Sequence, residues 1–196
     1  MERAEEPSSV KEILVELMEK SELIVDLAYS AVIFDSEDMA DEVLKIEEEV
    51  ERLVQRLNTL TILSARSPKE AEQVSGIIDV GYAAKSMANA AGDIVELLET
   101  DIERRPFLPF LFEEADEKIH VVFVSEDSDL VHRRIGDLKI EAETGVRVIA
   151  IKRGKHWLYD PEGEVRIKPG DALIIRGTED GFEFLNRVAM GEEKWD

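Results

Sequence analysis

IKPGDALIIRG, residues 167–177, places two glycines, a carboxylate and two basic residues within eleven positions. It admits three readings: a phosphate-holding loop, a turn carrying a catalytic carboxylate, or a turn that only leads into a strand. A phosphate loop needs a strand, then glycines, then Lys-Ser/Thr opening a helix, so that amide N–H groups converge on the anion. Here the order is reversed, because Gly170 precedes the β-branched run instead of following it. Pro169-Gly170 suits the two central positions of a type II turn, where glycine supplies the positive φ. Beyond Asp171, Leu173 and Ile175 alternate with Ala172, Ile174 and Arg176, the period of a strand. The stretch is therefore expected to be a turn entering a strand.

The segments around it share that vocabulary. IHVVFV (119–124), VRVIAIKR (146–153), HWLYD (156–160), EVRI (164–167) and ALIIRG (172–177) are short runs, mostly β-branched, divided by Gly, Pro or Asp. Residues 129–142 read as a short helical or turn segment and 179–190 as a terminal helix, giving a small α/β domain over 116–196. Upstream, Arg104-Arg105-Pro106-Phe107-Leu108-Pro109-Phe110-Leu111-Phe112 holds two prolines and five large apolar residues. Residues 104–115 are expected to form an apolar hinge that packs between domains or against a partner.

Residues 1–103 read differently. Ser9-x-x-Glu12, Ser36, and Ser67-Pro68-x-Glu70 mark three helix starts. Met39, Val43, Ile46, Val50, Leu53, Leu57 and Leu60 keep one apolar seam on the second helix. On the third, Gly81, Ala83, Ala84, Ala88, Ala90, Ala91 and Gly92 are expected to form a small-residue face that lets another helix approach, from this bundle or a second subunit. Long helices with short connections predict an antiparallel three-helix bundle, so the fold class is α+β, bundle first.

At 196 residues and 44% hydrophobic content the chain can fill real cores. A formal charge of −21 argues against nucleic acid as a partner, since phosphate binding needs a basic face. The absence of cysteine removes thiol chemistry and suits a reducing cytoplasm. No apolar run reaches 18 residues and MERAEEPSSV has no apolar core, so neither a membrane span nor a signal peptide is expected.

The sequence gives little support to catalysis. His120, His132 and His156 lack metal or triad spacing, and no G-x-S-x-G or G-x-G-x-x-G occurs. Carboxylates offer a metal alternative: Glu22 and Asp26 are four apart, Asp93 and Glu96 three apart, and Glu47 and Glu48 sit in an acidic run. Solvated helix faces account for the same pattern.

Two resemblances follow from these segments. Ile135-Gly136-Asp137-Leu138, Glu143-Thr144-Gly145-Val146, Val148-Ile149-Ala150-Ile151-Lys152-Arg153 and Ile167-x-Pro169-Gly170-Asp171-x-Leu173-Ile174-Ile175-x-Gly177 resemble the TrkA carboxy-terminal (RCK_C) domain of potassium-transport regulators. His132 departs from the pattern, which usually has glycine there. Met18, Val43-Leu44-x-Ile46-Glu47-Glu48-Glu49-Val50-Glu51-x-Leu53 and Gly92-Asp93-Ile94-Val95-Glu96 resemble one three-helix unit of the PhoU family. That family can carry metal on a Glu-x-x-x-Asp pattern, whose positions here hold Lys85 and Asn89. The resemblance implies a non-enzymatic cytoplasmic regulator, a homodimer, linked to a membrane cation channel or transporter. It implies a small anionic ligand such as a cyclic dinucleotide, with His132, Arg147, Lys152, Arg153 and Arg176 as contacts. NAD is not expected, because the nucleotide-binding half of the regulator is lacking. The alternative implication is a metal-binding adaptor in phosphate signalling, on Glu22, Asp26, Glu47, Glu48, Asp93 and Glu96.

Overall fold

The computed structural model describes residues 9–99 and 116–195. The chain divides into two compact units, Met1–Arg104 and Arg105–Asp196. The expected hinge at 104–115 lies outside the described residues.

The first unit contains α1 (Val10–Ile33), α2 (Glu37–Ser64) and α3 (Pro68–Val95), followed by a single 3₁₀ turn, Glu96–Glu99. Each helix begins where a serine side chain satisfies an amide that has no intrahelical partner. Ser9 Oγ accepts from the Glu12 amide at 3.2 Å while Glu12 Oε2 accepts from the Ser9 amide at 3.2 Å, a closed capping box. Ser36 and Ser67 accept in the same way from Met39 and Glu70. Every helix packs on the other two. The core is made of Ile13, Leu17, Ile24 and Leu27 from α1, the seam Met39 to Leu57 of α2, and only small side chains plus Val95 from α3.

Those small residues do not share one face. Gly81, Ala84, Ala88, Ala91 and Gly92 are buried in the bundle, whereas Ala83 and Ala90 are exposed. The reason is helical geometry: at about 100° per residue a run of consecutive small positions wraps around the axis. A Cβ at Gly81 would lie 2.9 Å from Leu57 Cδ2, so α2 and α3 approach through a missing side chain.

The second unit contains β1 (Lys118–Phe123), the short helices α4 (Ile135–Leu138) and α5 (Ile140–Thr144), β2 (Arg147–Arg153), β3 (His156–Tyr159), β4 (Ala172–Gly177) and α6 (Glu179–Met190). The strands form one antiparallel sheet in the order β1-β4-β2-β3. Alternation sends Val122, Ile151, Leu173 and Ile175 to one face, where they pack with Leu138, Ile140, Leu185, Val188 and Trp195. The stretch 164–167 is not a strand; only Arg166 bridges, to Arg134. Its backbone is used on the segment that leads into α4, with His132 N donating to Ile167 O at 2.8 Å and Ile135 N to Val165 O at 3.0 Å.

Candidate functional site

The turn before β4 is an ion-paired joint. Gly170 has φ +79, and the Asp171 amide donates back to Lys168 O at 3.2 Å, closing the expected turn. The Asp171 side chain is fully buried. Its Oδ1 accepts from Arg153 Nε at 2.8 Å, and its Oδ2 accepts from Arg153 Nη2 and from the Lys168 amide, each at 2.8 Å. Arg153 Nη2 also donates to Arg166 O at 2.9 Å. Hydrogen bonding to Asp171 raises the Arg153 pKa above its ordinary value. The joint thus fastens the end of β2 to the start of β4, with Arg153 giving three hydrogen bonds to it.

The five basic residues are parted by the sheet. Arg153 lies in the joint. His132 sits in an irregular segment at φ +68, the left-handed region that glycine favours, and its carbonyl accepts from Arg166 Nη1 at 2.6 Å. The position where the resembling family has glycine therefore keeps the backbone shape of glycine.

Arg147, Lys152 and Arg176 share the sheet face opposite the core. Arg147 pairs with Arg176 across β2 and β4, and a bulge between Val148 and Ala150 keeps this pair in phase with Ala150–Ile174 and Lys152–Ala172. On β3, Tyr159 stands opposite Ala150 and Trp157 opposite Lys152. The two rings stack at 5.7 Å with planes 8° apart, and Lys152 Nζ lies 4.9 Å from the Trp157 ring centroid. Between these groups lie the apolar side chains of Ala150, Ala172 and Ile174, all buried. Arg147 lies 3.8 Å from Asp160 and Arg176 3.1 Å from Glu117, while Lys152 is exposed. Two flat rings with Lys152 at one of them, on a face that also carries Arg147 and Arg176, can hold a planar, negatively charged molecule by stacking and charge-assisted hydrogen bonds. The aromatic pair was absent from the sequence-based site, although Trp157 and Tyr159 at a spacing of two already place both rings on one face of a strand.

The six candidate carboxylates of the first unit do not come together as one ligand set. Among the described residues, no three His, Asp or Glu side chains are placed to hold a metal ion. Glu22 is exposed on α1 and Asp26 is buried in it. Glu48 is exposed beside Arg52 at 3.8 Å. Glu47 does meet Asp93 and Glu96: burial first, then the charges of Asp93, Glu51 and Glu96, raise its pKa, against the lowering effect of Lys85. Lys85 Nζ binds Glu51 Oε1 at 2.5 Å, and Asn89, with its amide nitrogen turned towards Glu47, donates to Glu47 Oε1 at 3.3 Å. An ammonium and an amide donor stand where a cation would need oxygen ligands, so the residues present do not fit a metal at this place.

The TrkA-C domain family matches residues 119–187 and the PhoU domain family residues 14–98. A probable potassium channel protein of Methanocaldococcus jannaschii is 28% identical over 81 residues, 41% of this chain and 24% of that protein. An uncharacterized transporter of Synechocystis sp. is 33% identical over 70 residues, 36% of this chain and 11% of that protein. The chain thus spans a quarter or less of these two curated relatives. The RCK_C domain dimer of Streptococcus agalactiae BusR, solved with cyclic di-AMP, is 25% identical with a TM-score of 0.36, covering 39% of this chain and 95% of that one. No helix among the described residues is long and apolar enough to cross a membrane.

Proposed function

From a chain in which a PhoU domain precedes a TrkA-C domain, we propose a non-enzymatic, cytoplasmic regulator of potassium or other cation transport. The TrkA-C domain senses a small anionic ligand of the nucleotide class and pairs with a second copy, and the helical unit docks on a channel or transporter. The observation that carries this reading is the basic and aromatic sheet face, which carries Arg147, Lys152 and Arg176 together with the stacked Trp157 and Tyr159. Its chemistry matches a planar base joined to phosphate: rings for stacking and cations for the anion. The relationship to a potassium channel protein supplies the class of process.

The test is calorimetric titration of the protein with cyclic di-AMP, ATP and inorganic phosphate. Lys152→Ala should weaken the binding of any nucleotide that binds by about tenfold, the scale of one charge-assisted contact. Trp157→Ala should weaken it by a similar factor through lost stacking. Tight binding untouched by both substitutions would place the ligand elsewhere, and no binding of any of the three would overturn the sensing role.

A further inference from the structure

The outward face of α3 carries a second apolar stripe, distinct from the seam it buries. Gly76, Val80, Ala83, Met87, Ala90 and Ile94 follow one another at alternating spacings of four and three. Gly76, Ala83 and Ala90 are exposed, Val80 is 55% and Met87 45% exposed, and Tyr82 beside them is 54% exposed. The buried seam, Gly81, Ala84, Ala88, Ala91 and Val95, occupies the other side of the helix. Alternating spacings of this kind keep a stripe in register with a partner helix along its length.

The charges around the stripe are of one sign. Glu72, Asp79 and Asp93 stand on the same exposed side of α3. Between Glu70 and Leu97 the single basic residue is Lys85, which is held by Glu51. Glu47, Asp93 and Glu96 crowd one another along the side shared with α2, and the pKa of Glu47 rises in consequence of burial and these charges. A second copy of this chain would bring the same acids to both ends of the stripe in either direction, and like charges would oppose the contact.

We propose that the outward face of α3 is a docking surface for a basic amphipathic helix of a partner protein. Apolar side chains of that helix would lie along Val80, Ala83, Met87 and Ala90, and lysines or arginines would flank them against Glu72, Asp79 and Asp93. The small residues Ala83 and Ala90 set a close approach, and the acids select the sign of the partner. The inference deepens the docking half of the function above and is independent of the nucleotide half.

The test uses the full-length protein and a synthetic Leu/Lys peptide with leucines at spacings of three and four, followed by fluorescence anisotropy at physiological salt. A scrambled peptide of the same composition and a Leu/Glu peptide serve as controls. The ordered basic peptide should bind at least about tenfold more tightly than either control. Ala83→Glu and Met87→Glu should each reduce that binding by about tenfold or more, although each adds attraction for lysine. Both positions are exposed, and helical circular dichroism confirms folding. Equal binding of ordered and scrambled peptides, or tighter binding by Ala83→Glu, would reduce the effect to bulk charge and overturn the proposal. A sedimenting dimer that Ala83→Glu converts to monomer would assign the face to a second copy instead. Nucleotide binding measured on the same variants is expected to be unchanged, which separates failure here from failure of the sensing role.

Discussion

Asp171 and Arg153 show how a single charged pair can define a strand end. A fully buried carboxylate is tolerated because three hydrogen bonds converge on it, two of them from one guanidinium. Arg153→Ala would leave Asp171 buried with only the Lys168 amide as donor. Removing one partner of a buried pair costs about 3–5 kcal/mol. Arg153 itself keeps 30% of its side chain in solvent, so water can reach the gap and the expected loss is near the lower end. Urea unfolding of Arg153→Ala should therefore show about 3 kcal/mol less stability. A loss below about 1 kcal/mol, the scale of an exposed pair, would mean that the joint is ornamental. The same reasoning separates the two neighbours at the end of β2: weakened nucleotide binding in an Arg153 variant would report on the joint, and Lys152 is the clean test of the ligand face.

At the scale of elements, two contacts give the units opposite responses to acid. His120 of β1 stacks on Phe182 of α6 at 4.0 Å, and burial lowers its pKa, with Glu179 acting upward and Lys118 downward. The unfolded chain then binds the proton more readily than the folded one. Stability from this site is present above the ordinary value of 6.5 and is lost as pH falls below it. Glu47, between α2 and α3, has a raised pKa, so the folded state holds its proton more readily and the helical unit loses stability as pH rises above 4.5. Lowering the pH from 7 to 5 should thus reduce amide protection in β1 and increase it in α2, read by hydrogen exchange. His120→Phe should remove the first change and Glu47→Gln the second, and a change of the same sign in both elements would sink this account. Much of this architecture was legible beforehand. The three serine caps placed the helix starts, and alternation in ALIIRG placed its two faces. The order β1-β4-β2-β3 was not legible, because alternation within a strand carries no information about its neighbours. Nor was the distribution of small residues on α3, since which of several adjacent alanines points inward depends on the packing of the other two helices.

For the molecule as a whole, the division of the sequence into helix vocabulary and strand vocabulary corresponds to two hydrophobic cores that share no element among the described residues. The first is closed by Ile13, Leu17, Leu27, Met39, Val43, Leu57 and Ala88, all contributed by α1, α2 and α3. The second is closed by Val122, Ile151, Leu173, Leu185 and Trp195 within the sheet unit. The basic and aromatic residues of the candidate ligand face likewise lie within the sheet unit, on β2, β3 and β4. Each segment is longer than the roughly 40 residues below which a core usually needs a disulfide, a metal or an oligomer to hold it. Residues 9–99 and 116–195, produced separately, should therefore each unfold in a cooperative transition followed by circular dichroism. The second segment should also bind the same nucleotide as the full chain, with an affinity unchanged within about threefold, because every residue of the proposed face travels with it. A cooperative fold with lost binding would show that the face needs groups from outside 116–195. A segment that fails to fold would show that its core depends on the rest of the chain, against the separation that the buried residues imply.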